Sequence, residues 1–252
     1  MKAFFSALAF LTPVRVPQAW CGGERGLRGA PVYFPLVGGL IGGTAAAATF
    51  GLDHVLPPLP AAVVVVLFLV AASAGLHLDG LADTADGLLS SRPRERVLEI
   101  MRDSRIGTMG VAAVVGVLLL KVGFLSAVEE GLRWRAVLLA PPAGRCAALL
   151  VMSLFPYARE AGGLSGGLAS VFRATGRRAH LLAAWSMVWV LAAGWLALSY
   201  RGLVAAGVGL ILAVLFALYV RRRIGGYTGD TLGATTELVE AVPFLVMAVW
   251  PT

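Results

Sequence analysis

Apolar runs of about twenty residues recur along this chain, and a helix of that length spans the hydrocarbon core of a bilayer. Only helices and closed barrels satisfy every backbone group in lipid. None of the runs alternates with period two, so the barrel is excluded and the expectation is an all-α, polytopic transmembrane helical bundle. Seven candidate spans emerge, at residues 32–51, 60–78, 108–128, 135–156, 180–199, 202–220 and 237–250. The last is short and holds Glu237 and Glu240, which makes it the weakest of the seven. Composition excludes a soluble globule: 58% of residues are hydrophobic and 14% charged, where soluble domains are about half and about a quarter.

The net charge of +7 would suggest nucleic acid in a soluble chain, but an Arg excess in a membrane protein belongs first to cytoplasmic loops. Nucleic acid is therefore not an expected partner. With the N-terminus inside, the cytoplasmic segments hold sixteen Lys and Arg, from Lys2, Arg15, Arg25 and Arg28 through Arg92–Arg105 and Arg159–Arg178 to Arg221, Arg222 and Arg223. Three lie outside (Arg133, Arg135, Arg201) and two within spans (Lys121, Arg145). Residues 1–11 have a Lys and a short apolar run, but Pro13, Arg15 and Pro17 stand where a signal-peptide cleavage site would need small residues. They read as a retained helix lying on or dipping into the membrane. Two cysteines, Cys21 and Cys146, give no disulfide framework. No linker or repeat divides the chain, so residues 1–252 are expected to form one domain.

Six of the fourteen acids lie between residues 79 and 103: Asp79, Asp83, Asp86, Glu95, Glu99 and Asp103. Asp79, Asp83 and Asp86 are spaced i, i+4, i+7, which puts three carboxylates on one helical stripe. Stacked carboxylates repel and need a cation. One reading gives that role to Arg92, Arg94, Arg96, Arg102 and Arg105, making a solvated charged loop. The other notes that the stripe itself is interleaved only with Gly, Leu, Ala and Thr, which suits Mg²⁺ bound through a few carboxylates plus substrate phosphates, the arginines then meeting the remaining anionic oxygens. His77 lies about 200° round a continuous helix from Asp79, off that face.

Arg145 follows Pro141, Pro142 and Gly144, a pattern expected to break the helix. It is either half of a structural ion pair or a substrate-anion contact. Lys121, in mid-span, calls for an internal acid that the sequence does not name. GGYTGDTLGATTELVE (225–240) reads as a small-residue loop at the cytoplasmic side, where amides approach phosphate and Thr228 and Asp230 add ligand oxygens. YFPLVGG (33–39) reads as Pro35 in a first helical turn, followed by glycines for close helix packing. His54, His180, Glu129 and Glu130 carry no special role.

HLDGLADTADG (77–87), EIMRDSRIGTMG (99–110), YFPLVGG, GGYTGDTLGA (225–234) and AFLTPVRVP (9–17) together resemble the adenosylcobinamide-GDP ribazoletransferases, the cobalamin synthases, along nearly the whole chain. The resemblance implies a multi-pass enzyme of the bacterial inner membrane with its active site facing the cytoplasm. It would join adenosylcobinamide-GDP to α-ribazole or its 5′-phosphate, releasing GMP, with Mg²⁺. Asp79, Asp83, Asp86 and Asp103 are then the motif acids, with His77, Arg102 and Arg105 beside them. Asp83 and Asp86, with Asp79, are the expected metal ligands. Asp79, Asp103 and His77 are the catalytic candidates, and Arg102, Arg105, Arg145, Thr228 and Asp230 the substrate contacts.

Two other classes compete. The segment 83–103 partly resembles the CDP-alcohol phosphatidyltransferase signature, but Ser90 replaces its Ala, Arg92 falls one place late and Glu99 replaces an Asp. A transporter would place ionisable residues at mid-membrane in broken helices of paired repeats, and only Lys121 and Arg145 qualify. The sequence leaves open a homo-oligomer, the choice between ribazole and its phosphate, and the identity of the base.

Overall fold

The computed structural model describes residues 1–158 and 176–250. In chain order these form α1 (Lys2–Leu11), α2 (Gln18–Cys21), α3 (Gly23–Gly29), a 3₁₀ turn (Ala30–Tyr33), α4 (Phe34–Leu52), α5 (Pro58–Ala72), α6 (Leu76–Leu88), α7 (Arg94–Ile100), α8 (Thr108–Ala127), α9 (Glu130–Leu154), α10 (Gly176–Ile224) and α11 (Gly229–Val249). Arg159 and Arg173, counted above for sidedness, lie outside the described residues.

A helix buried on all sides is apolar nearly all round, and the inner part of α9, in which Arg145 is the one charged residue, is such a helix. Its run from Leu139 through Met152 is buried, and α4, α10 and α11 pack around it. Contrary to the expected break, α9 continues through Pro141 and Pro142. Pro142 deprives the Leu138 carbonyl of its helical N–H, and Gly42 of α4 occupies the space against that same carbonyl, where any Cβ would overlap the oxygen. Gly38 sits against Pro142 in the same way, a Cβ there falling 2.8 Å from the proline Cα. Close packing by the glycines of α4 is thus as expected, and Pro35 does sit in the first turn.

The expected span 60–78 is not one helix. Ala74 (φ 51°) and Gly75 (φ 73°) adopt left-handed backbone, which cannot extend a right-handed helix, and the chain bends by 89° from α5 into α6. The 49 residues of α10 would stretch about 73 Å if straight, over twice the bilayer core. Instead Leu198 and Ser199 (φ 54°, ψ −137°) leave helical geometry. Gly194 and Gly202 then lie backbone to backbone, so a Cβ on either would overlap the other. The two arms fold back as a hairpin and correspond to the expected spans 180–199 and 202–220. The last span is longer than expected, starting at Gly229 under the Thr228 cap rather than at residue 237, and its two acids are internally paired. Among the described residues five helices are long and apolar enough to cross a membrane, six if the bent pair counts as one, and the hairpin in α10 accounts for the seventh apolar segment.

Each end of the bundle is fastened by charge. At one end Arg133, expected in an external loop, is buried at 2% exposure, ion-paired with Asp53 after α4 and donating to the Val128 carbonyl at 3.2 Å. At the other, Arg94 of α7 donates to the Ile224 carbonyl at 2.8 Å and the Ala158 carbonyl at 2.9 Å, tying α7 to the end of α10. There the chain before α11 is also laced to the chain after α9: the amide of Tyr227 donates to the Pro156 carbonyl and that of Ala158 to the Tyr227 carbonyl. The N-terminal helix α1 buries Ser6, Ala7 and Leu11 and packs on α3 and α4.

Candidate active site

Glycine brings the first turns of α6 and α11 into contact. A Cβ on Gly80 would lie 2.7 Å from the Asp230 carbonyl, and one on Gly233 would lie 3.0 Å from that of His77. The helices therefore cross backbone against backbone, and HLDG of one motif meets GDTLG of another. Beside the crossing is a cavity of about 240 Å³. His77, Asp79, Arg145, Asp230 and Thr236 form its polar part. Phe10, Leu11, Phe34, Met152 and Tyr157 supply apolar wall.

The three aspartates share α6 as the spacing predicts, but they face different neighbours. Asp79 is exposed and lines the cavity, favourably placed in the first turn of its helix. Asp83 is half-buried. Asp86 is committed to α8: its carboxylate accepts from the Gly107 amide at 2.6 Å and the Gly110 amide at 2.8 Å, occupying the N-terminus of that helix. This accounts for both glycines of RIGTMG, since a Cβ on Gly107 would fall 2.5 Å from the carboxylate and one on Gly110 would be closer still. Among the described residues no three His, Cys, Asp or Glu side chains converge closely enough to hold a metal ion.

Downstream, Asp103 and Arg105 bind each other. The guanidinium grips the carboxylate with two bonds, Nε to Oδ1 at 3.0 Å and Nη2 to Oδ2 at 2.7 Å, and the Arg105 amide adds a third at 3.1 Å. Those bonds hold the Asp103 carboxyl down at about 2, so it stays ionised at neutral pH and is a weak proton acceptor. Arg102 is exposed on the same short loop. The basic run is thus divided: Arg94 fixes helix ends, Arg96 pairs with Glu99 at 2.7 Å, and Arg105 pairs with Asp103.

Behind the cavity lies a buried polar chain. Lys121 donates to Glu237 at 2.7 Å and Glu240 at 2.8 Å, so the acids that weakened the last span are the partners Lys121 called for. Glu240 also pairs with Arg145, and Arg145 Nη2 lies 3.4 Å from Nδ1 of His77. Both readings of Arg145 therefore meet in one residue, which is ion-paired and also lines the cavity. A guanidinium only donates, so Nδ1 of His77 is the acceptor and its proton sits on Nε2. His77 is then a hydrogen-bond donor, not a base, while this contact lasts.

The Gly-rich segment is mostly helix, with only Gly225–Thr228 outside α11. Thr228 is fully buried as the N-cap: its hydroxyl accepts from the Thr231 amide in a capping box, and it donates to Asp230 at 3.3 Å. Of the two expected ligands only Asp230 reaches the cavity. Sequence reasoning missed Phe10, Leu11, Phe34, Met152 and Tyr157, which look like ordinary membrane apolar residues until the fold assembles them. For Glu237 and Glu240 a signal existed, since two acids three apart within a span match an unpaired mid-span lysine.

The cobalamin-5-phosphate synthase family profile matches residues 3–248 of the chain. Among curated relatives, an adenosylcobinamide-GDP ribazoletransferase of Herpetosiphon aurantiacus is 40% identical over 259 residues, covering 98% of this chain and 96% of its own. Enzymes of the same name from Citrobacter koseri and Caldanaerobacter subterraneus are 40% and 35% identical, each across at least 98% of both chains. No solved structure matches.

Proposed function

Because the chain belongs to the cobalamin-5-phosphate synthase family, we propose that it joins adenosylcobinamide-GDP to α-ribazole or its 5′-phosphate and releases GMP. GMP departs with its own phosphate, so the ribazole hydroxyl attacks the other phosphorus of the diphosphate. A new P–O bond forms to the ribose, the bond to the bridging oxygen breaks, and the hydroxyl proton passes to a base. The CDP-alcohol signature is not favoured beside a match along almost the full chain.

The observation that carries this reading is the cavity where α6, α9 and α11 place Asp79, His77, Arg145 and Asp230 together. Asp79 is the proposed base: it is exposed to the cavity, whereas Asp103 is held by Arg105 and His77 presents a donor. Arg145, fixed by Glu240, offers positive charge to phosphate oxygens, and Arg102 and Arg105, on the loop before α8, are proposed to meet further oxygens of the diphosphate. Mg²⁺ suits the site only in the form this ion prefers, with one or two carboxylates and the rest of its shell from substrate phosphate and water. Asp83 and Asp230 would be those carboxylates, Asp79 keeping its part as the base. When bound it would neutralise the diphosphate oxygens. Asp86, already accepting two amides, is proposed to steady α6 against α8 beside that set. The sixteen-to-three charge asymmetry supports a site facing the cytoplasm of a bacterial inner membrane.

Purified protein in detergent, given both substrates and no membrane gradient, is expected to form the corrin product and GMP one for one. Asp79→Asn keeps size and removes the base, so kcat should fall by about 10² or more with the protein still folded. No product from the parent protein would sink the transferase reading, and near-parental kcat in the variant would remove Asp79 from the chemistry.

A further inference from the structure

The two substrates differ greatly in size, and the cavity discriminates between them. At about 240 Å³ it falls just below the usual range of small-molecule pockets, roughly 300 Å³ and upward. An adenosylated corrin ring with its nucleotide is far too large to enter. A flat heteroaromatic base bearing one ribose is of the right order.

The lining has matching polarity. The rings of Phe10 and Phe34 are near parallel, 15° apart with centroids 6.0 Å apart, and Met152 and Tyr157 add polarisable wall. The polar part of the lining contains Asp79 and Arg145. Arg145 is 2% exposed, and its Nε is buried without an acceptor among the described residues. A buried donor with no partner is costly, and a ligand oxygen or ring nitrogen would satisfy it.

Resting on the transferase reading, we propose that this cavity is the acceptor subsite: the benzimidazole-type base of α-ribazole lies against Phe10, Phe34 and Met152, and its ribose lies toward Asp79. The corrinoid diphosphate then approaches from outside, across the exposed Asp79 and the loop carrying Arg102. The AFLTP segment, remote in sequence from the aspartates, becomes part of substrate selection because Phe10 and Leu11 line the same space.

Ala148 lines the cavity and is not a catalytic residue, so Ala148→Trp fills the space without touching the chemistry. Initial rates with both substrates varied should show KM for α-ribazole raised about tenfold or more and KM for adenosylcobinamide-GDP within about twofold, the signature of lost binding to one substrate. A milder variant guards against misfolding. In protein with Cys21 and Cys146 replaced by serine and alanine, Ala148→Cys should be alkylated by a small maleimide, and α-ribazole alone should slow that reaction while adenosylcobinamide-GDP alone should not. Protection by the corrinoid instead, or a rise in its KM instead, overturns the subsite; so does no selective effect in either experiment. If the parent protein itself makes no corrin product, it is the transferase reading that has failed.

Discussion

Lys121 is the residue on which the interior turns. It is 2% exposed and held between Glu237 and Glu240, while Glu240 also binds Arg145. Two cations and two carboxylates cancel, and removing one member leaves a charge without a partner in the bundle core. Breaking such a pair costs about 3–5 kcal/mol, whereas replacing both partners by neutral groups is far milder. Lys121→Met should therefore lower Tm in detergent sharply, and Lys121→Met combined with Glu237→Gln should recover much of the loss. Equal damage from the single and double variants would show that the charges are not coupled. The need for a partner was legible in the sequence, because a mid-span lysine cannot reach water. Which acid met it was not, since 116 residues separate Lys121 from Glu237 and only the fold brings them together.

Among the elements, α6 had the most legible side chains and the least legible surroundings. Its i, i+4, i+7 spacing correctly put three aspartates on one helix. It could not reveal that Asp86 reaches across to the start of α8, because that bond joins a side chain to backbone amides, which carry no sequence signal. The bend ahead of α6 was hidden for a similar reason: Ala74 and Gly75 look like any small apolar pair, and only their positive φ values end the helix. Asp86→Asn removes the charge that faces two amide donors and the α8 dipole, so we expect a loss of about 1 kcal/mol, read as a lower Tm, together with lower activity. Reduced activity at unchanged Tm would instead make Asp86 a ligand with no capping role.

At the scale of the whole molecule, the apolar runs gave the seven segments, and the glycine pair Gly194 and Gly202 explains how two of them fold back on each other within α10. Proline was the misleading signal. Pro141 and Pro142 looked like a break, yet α4 closes over the weakened turn with Gly38 and Gly42. The arginine asymmetry predicts that residues 79–106 face the cytoplasm and residues 129–135 the outside. In right-side-out vesicles, on a background lacking Cys21 and Cys146, an impermeant thiol reagent should label a cysteine placed at Gly131 and spare one placed at Pro93. The reverse pattern would invert the topology.

The buried ion cluster also sets an order of events during synthesis. Lys121 leaves the ribosome with α8, long before Glu237 and Glu240 follow with the final helix. Until then a lysine in mid-membrane raises the cost of inserting α8 by about 2.5–3.5 kcal/mol, borne by an unfinished bundle. The C-terminal helix is thus the clasp of assembly as well as one wall of the cavity. A chain stopped at Ile224 should be degraded faster in cells than the full-length chain, and Lys121→Leu should lengthen the lifetime of the truncated form, as pulse-chase labelling would reveal. Quality control acting on such a protein has a chemical handle: the cations of Lys121 and Arg145, which meet their carboxylates only when α11 is in place.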